Sequence, residues 1–162
     1  MMISIIMGSK SDYEVMKGAM DILDKFGIAY EANVLSAHRT LGETLSYVST
    51  LEDRGTKVII AGAGKAAHLP GVIAGHTLIP VVGVPIKTSM MGGMDSLLSI
   101  VQMPGGIPVA TVGVNGALNA GLLASQMIAM ENKEVFEKLL DYRREMKENV
   151  LNDNKEIKKW RD

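Results

Sequence analysis

Two short runs, Val58-Ile59-Ile60-Ala61 and Val81-Val82-Gly83-Val84, are apolar continuously rather than at every second position. A strand with one face in water alternates. A continuous run needs cover on both faces, as in a parallel sheet packed between layers of helix. These runs are the centres of strands expected over Lys57–Ala61 and Pro80–Val84. Weaker runs of the same kind occur at Ile3–Met7, Ala29–Leu35 and Ile107–Val112. Helical patterns separate them. Asp12–Phe26 places Val15, Met16, Ala19, Met20, Leu23 and Phe26 on one stripe, and Thr40–Arg54 does so with Leu41, Leu45, Val48 and Leu51. Shorter helices are expected over Pro70–Thr77 and Asp95–Gln102, and a longer one over Asn115–Met130. Strand and helix in strict alternation predict an α/β fold, a three-layer doubly wound parallel sheet.

The 162 residues are read as a single domain, 1–162, whose 47% apolar content is enough for a real core. From Glu131 the composition turns strongly charged. Val135, Phe136, Leu139, Leu140, Arg143, Met146 and Val150 still recur at helical spacing. Residues 131–162 therefore read as a helical C-terminal arm, which either covers the core's edge or docks on another subunit. The formal net charge of −1 gives no basic field for nucleic acid. No run approaches the length of a membrane span, and Met1–Met7 reads as a strand rather than a signal peptide. The chain has no cysteine, which fits a cytoplasmic location.

Chemistry gathers where strands run into helices. In an open α/β sheet, ligands bind outside the carboxyl ends of the strands. Gly8-Ser9-Lys10-Ser11-Asp12 follows the first strand. Gly8 lets the backbone approach a ligand, Ser9 offers a hydroxyl to phosphate, and Asp12 suits ribose hydroxyls. Ser11 and Glu14 have capping-box spacing, which places a helix N-terminus beside the loop. Ser36-Ala37-His38-Arg39-Thr40 follows the second strand, with Thr40 and Glu43 in a second such box. A positive helix end beside His38 favours its neutral form, suited to general acid–base work. Arg39 offers a planar fork to phosphate.

After the third strand, Gly62–Gly71 is rich in Gly and Ala and admits a flat ligand. Within it, His68 either meets the ligand or satisfies a loop carbonyl. Lys65 either holds a carboxylate or points into water. His76 reads as structural. The three histidines lack the close spacing of a metal ligand set, and neither a P-loop nor a hydrolase elbow is present. With 4% aromatic residues, the candidate loops offer no flanks for a flavin ring, which argues against a flavodoxin-like binding module.

Met7–Asp12, Ser36–Thr40, Ala61–Gly64, Ala66–Gly71 and Asp95–Pro104 together resemble the PurE-type N(5)-carboxyaminoimidazole ribonucleotide mutase family, from Ile3 to about Met130. The resemblance implies a flavodoxin-like fold and a step of de novo purine (IMP) biosynthesis. A carboxylate moves from the exocyclic nitrogen to ring carbon 4, by decarboxylation and recarboxylation, without metal or cofactor. It implies His38 as general acid/base and Ser9, Asp12 and Arg39 as nucleotide-binding residues. Ser36 would support the phosphate, and Gly64 and His68 would close over the base. It further implies a homo-octamer. A second class of the family carboxylates aminoimidazole ribonucleotide directly with carbon dioxide; Ala67–Gly71 resembles the mutase class. Three positions depart from the family pattern. Lys65 stands where that class usually has glycine, Leu41 where proline is usual, and Val112–Leu118 is slightly shorter.

Overall fold

A computed structural model describes residues 2–160. Five parallel strands form one sheet in the order β2-β1-β3-β4-β5. They are β1 (Met2–Met7), β2 (Ala29–Val34), β3 (Thr56–Ala63), β4 (Val81–Pro85) and β5 (Ala110–Thr111). The helices between them are α1 (Tyr13–Phe26), α2 (Leu41–Ser49), α3 (Leu69–Ala74) and α4 (Met94–Val101), and α5 (Ala117–Ala129) and α6 (Lys133–Lys159) follow the last strand. This is the flavodoxin-like doubly wound arrangement.

The continuous apolar runs are covered on both faces. Along β3, Val58 and Ile60 enter one core, with Ile3, Ile5, Val82 and Val84 and with residues of α1, α5 and α6. Ile59 and Ala61 enter the other, with Ile6, Val48, Leu51, Ile73 and Ile100. One strand thus supplies two cores by its period of two. Helices α1 and α5 cross closely because Gly121 has no side chain. A Cβ there would lie 2.2 Å from Ile22 Cγ2 and 3.0 Å from the Ala19 carbonyl oxygen.

The edges are weaker than the centre. β2 has no buried residue. Its Glu31 accepts from Tyr47 and Arg54 of the α2 region, and Tyr47 also bonds Ser4 of β1 at 2.8 Å. On the other edge, the strand expected over Ile107–Val112 keeps two residues. Pro108 has no N–H to give a ladder, and the Ile107 N–H donates to the Pro104 carbonyl at 3.2 Å in a turn. α2 ends at Ser49, five residues before its expected end, and the chain turns back through Gly55 at φ +76°.

Helix α6 is capped by Asn132, whose side chain accepts from the Val135 N–H at 3.1 Å. Its first half covers the core's edge. Val135 is buried, Tyr142 meets Phe26 edge to face at 5.8 Å, and Lys25 pairs with Glu145 at 2.6 Å. Beyond that point Met146, Val150, Ile157 and Trp160 are exposed. Among the described residues, no helix is long and apolar enough to cross a membrane.

Candidate functional site

The strand order reverses direction between β1 and β3, and the carboxyl ends of β1, β2, β3 and β4 surround one cleft of about 700 Å³. The Gly8 N–H donates to the Gly62 carbonyl at 3.1 Å and holds the first loop against the third.

The loop after β1 does not form the expected capping box. A single 3-10 turn, Lys10–Asp12, comes before α1. It draws Ser11 inside, and the Ser9 hydroxyl oxygen accepts from the Ser11 N–H at 3.3 Å and from the Ser11 hydroxyl at 2.9 Å. Asp12 then precedes α1 and makes no side-chain cap bond. Its carboxyl is left to line the cleft, where only 8% of the residue is exposed.

The loop after β2 closes on itself. The Thr40 hydroxyl accepts from the Ser36 N–H at 2.8 Å and lies 3.2 Å from the Ser36 carbonyl. It therefore does not cap α2, and the second capping box is also absent. The small closed loop presents two side chains. Arg39 donates through Nη2 to the Gly8 carbonyl at 2.7 Å and through Nε to the Ser36 hydroxyl at 3.3 Å. His38 reaches across to the loop after β3, where its Nε2 lies 2.9 Å from Nδ1 of His68. The rings meet at 69° with centroids 5.0 Å apart. His68 thus bonds another imidazole, not a loop carbonyl. At this distance one nitrogen must carry the proton and the other offer its lone pair.

Ser9, Asp12, Ser36, His38, Arg39, Gly64 and His68 all line this one cleft. Lys65 lines it too, on a left-handed backbone with φ +58°, a conformation that glycine adopts freely. His76 does not. It bonds the Ser49 hydroxyl at 2.9 Å, in keeping with a structural role. Sequence reasoning missed Lys87, Thr88 and Ser89, which follow β4 and line the same cleft. Thr88 donates to Asp95 at 2.6 Å, and the Lys87 N–H donates to Asn115 at 2.8 Å. The strand-end rule applied to Val81–Pro85 would have found them. Among the described residues, no group of three or more His, Asp and Glu is placed to hold a metal ion.

Burial pushes the Asp12 carboxyl above its ordinary value, against hydrogen bonds from Ser11 and the Ser9 backbone and the charge of Arg39. A carboxyl raised in the folded state binds protons more readily there than in the unfolded chain. Its contribution to stability is full below the unfolded value of 3.8 and is lost as pH rises through the folded one. At neutral pH an ionised Asp12 therefore costs stability. Asp12→Asn should raise the melting temperature at pH 7, with the gain fading below pH 3.8, while weakening ligand binding. Thermal melts across pH check this. A lower melting temperature at pH 7 would mark Asp12 as structural.

The sequence model of the family described as AIR carboxylase matches residues 2–149. The chain is 54% identical over 149 residues to an N5-carboxyaminoimidazole ribonucleotide mutase of Thermotoga maritima, covering 92% of this chain and 87% of the relative. It is 58% identical over 145 residues to the enzyme of that name from Pyrococcus abyssi, covering 90% and 83%. The crystal structure of Treponema denticola PurE matches the fold with a TM-score of 0.90 at 28% identity, over 97% of this chain and 98% of that one.

Proposed function

This chain belongs to the AIR carboxylase family, and from that premise we propose that it is an N5-carboxyaminoimidazole ribonucleotide mutase of purine biosynthesis. One observation carries the reading beyond family membership. A paired imidazole and an anchored guanidinium share a single cleft with a buried carboxyl. That set suits a phosphorylated ribonucleotide whose reaction needs a proton moved and returned.

In this reading Arg39, Ser9 and Ser36 take the phosphate, and Asp12 accepts from the ribose hydroxyls. Arg39 is a ready phosphate fork, because Gly8 and Ser36 already fix its plane. The reaction draws on the imidazolium form of His38, which the negative charges of a bound carboxylated nucleotide favour over the neutral form expected beside a helix end alone. The bond between the exocyclic nitrogen and the carboxyl carbon breaks, and that nitrogen takes the His38 proton. The freed carbon dioxide stays in the cleft, and ring carbon 4 attacks it. His38 then removes the proton from carbon 4, which restores both the aromatic ring and the starting imidazolium. Atoms and charge balance with no input of ATP. The lone pair of His68 holds the protonated His38 ring in place, because a doubly protonated imidazole donates from both nitrogens. Gly64 and the loop carrying His68 cover the base and keep water from the gas.

A homo-octamer in the cytoplasm belongs to the same reading. The distal half of α6 supports it, since its apolar residues Met146, Val150 and Ile157 lie exposed. A measured solution mass of eight chains is expected, and a monomer would contradict it.

The direct test supplies N5-carboxyaminoimidazole ribonucleotide with ATP and metals withheld. The 4-carboxy product is expected at a rate far above the spontaneous one. Product formed only from aminoimidazole ribonucleotide and carbon dioxide would assign the chain to direct carboxylation instead.

A further inference from the structure

The cleft carries cations at separated strand exits. Arg39 follows β2 and is held by the Gly8 carbonyl and the Ser36 hydroxyl. Lys65 follows β3, two places along the sheet, and lines the same cleft. The Gly8 carbonyl holds the Arg39 guanidinium at the β1 exit, beside β3, so the two cations belong to neighbouring strand ends of one cleft. A ligand that satisfies both carries two anionic groups.

Lys65 differs from Arg39 and the two histidines in two ways, the first of which, an ammonium without a partner among the described residues, it shares with Lys87 after β4. The Lys65 ammonium makes no ion pair or hydrogen bond among the described residues, whereas Arg39 and both histidines are engaged. Its backbone is left-handed, which is unfavourable for any residue with a Cβ. The conformation is held by its neighbours. The Lys65 carbonyl accepts from the Ala67 N–H at 2.8 Å and from the Ser99 hydroxyl at 3.4 Å. A charged side chain on a strained backbone, free at the wall of a cleft, is a feature that binding accounts for and packing does not.

We propose that Lys65 is a specificity residue whose ammonium pairs with the carboxylate of the bound nucleotide and selects carboxylated over decarboxylated forms. The assignment rests on the mutase reading, in which phosphate and carboxylate stand at opposite ends of substrate and product. Arg39 takes the first and Lys65 the second. The contact favours retention of the carboxylated nucleotide over aminoimidazole ribonucleotide, the form left if carbon dioxide escapes.

The test is calorimetric binding of two nucleotides, the 4-carboxy product and aminoimidazole ribonucleotide, to the parent and to three variants. Lys65→Met removes the charge and keeps the strained backbone. Lys65→Gly removes both. Lys65→Arg keeps the charge. The Met and Gly variants should each weaken the carboxylated nucleotide by about five- to tenfold and leave the other within about twofold. The Arg variant should restore most of the difference. A merely conformational role would separate Gly from Met and move both nucleotides together, and that result overturns the proposal. So would a selective loss in Lys87→Met with none in Lys65→Met. If the parent binds neither nucleotide, the mutase reading itself falls and the proposal falls with it.

Discussion

The parallel pairing of β1 with β3 is the constraint on which the rest depends. It runs from Met2 to Met7 against Thr56 to Gly62 and ends on the bond from the Gly8 N–H to the Gly62 carbonyl. The chain leaves these two central strands in opposite directions across the sheet, to β2 on one side and β4 on the other. Their outgoing loops therefore diverge and leave a crevice. The edge strand β2 then brings its loop back over that crevice. The Arg39 bond to Gly8 ties the β2 and β1 loops, and the His38 bond to His68 ties the β2 and β3 loops. Three loops far apart in sequence become one wall, anchored beneath by Ala67 in the core and Ala37 packed against it.

Stability and function are kept at different places in this arrangement. The core residues of β3 and β4 lie between helices on both faces, and the side-chain contacts there are apolar. At the β2 edge, burial raises Glu31, but hydrogen bonds from Arg54 and Tyr47 outweigh it and hold the carboxyl below its ordinary value. That cluster favours the folded state above about pH 4.5 and loses its effect as pH falls. Asp12 behaves in the opposite way, raised by burial in the cleft. A carboxyl group is thus shifted down where it braces the sheet and up where it lines the cleft.

Much of this was legible in the sequence. Continuous apolar runs announced the central strands, and polar motifs at their ends marked the cleft. What could not be read was set by contacts across the chain. The choice of Ser9 over Ser11 as the capping hydroxyl depends on a 3-10 turn that helical periodicity does not record. The partner of His68 is 30 residues away on another loop. Lys87–Ser89 carry no histidine or phosphate-like pattern, although their place after β4 is as telling as that of Ser36–Thr40. The fifth strand is shorter than its apolar residues predict, because Pro108 cannot join a ladder.

In the proposed mechanism binding and proton transfer belong to different side chains of one cleft, with His38 carrying the proton. His38→Asn tests this most directly, because asparagine keeps a polar side chain of similar reach and cannot shuttle a proton near neutral pH. Affinity for the 4-carboxy nucleotide and turnover of the N5-carboxy substrate should be measured on the same preparation. The account predicts affinity within a few-fold of the parent and turnover lower by about 10²- to 10⁴-fold. Turnover near that of the parent, or affinity lost in step with turnover, would contradict it.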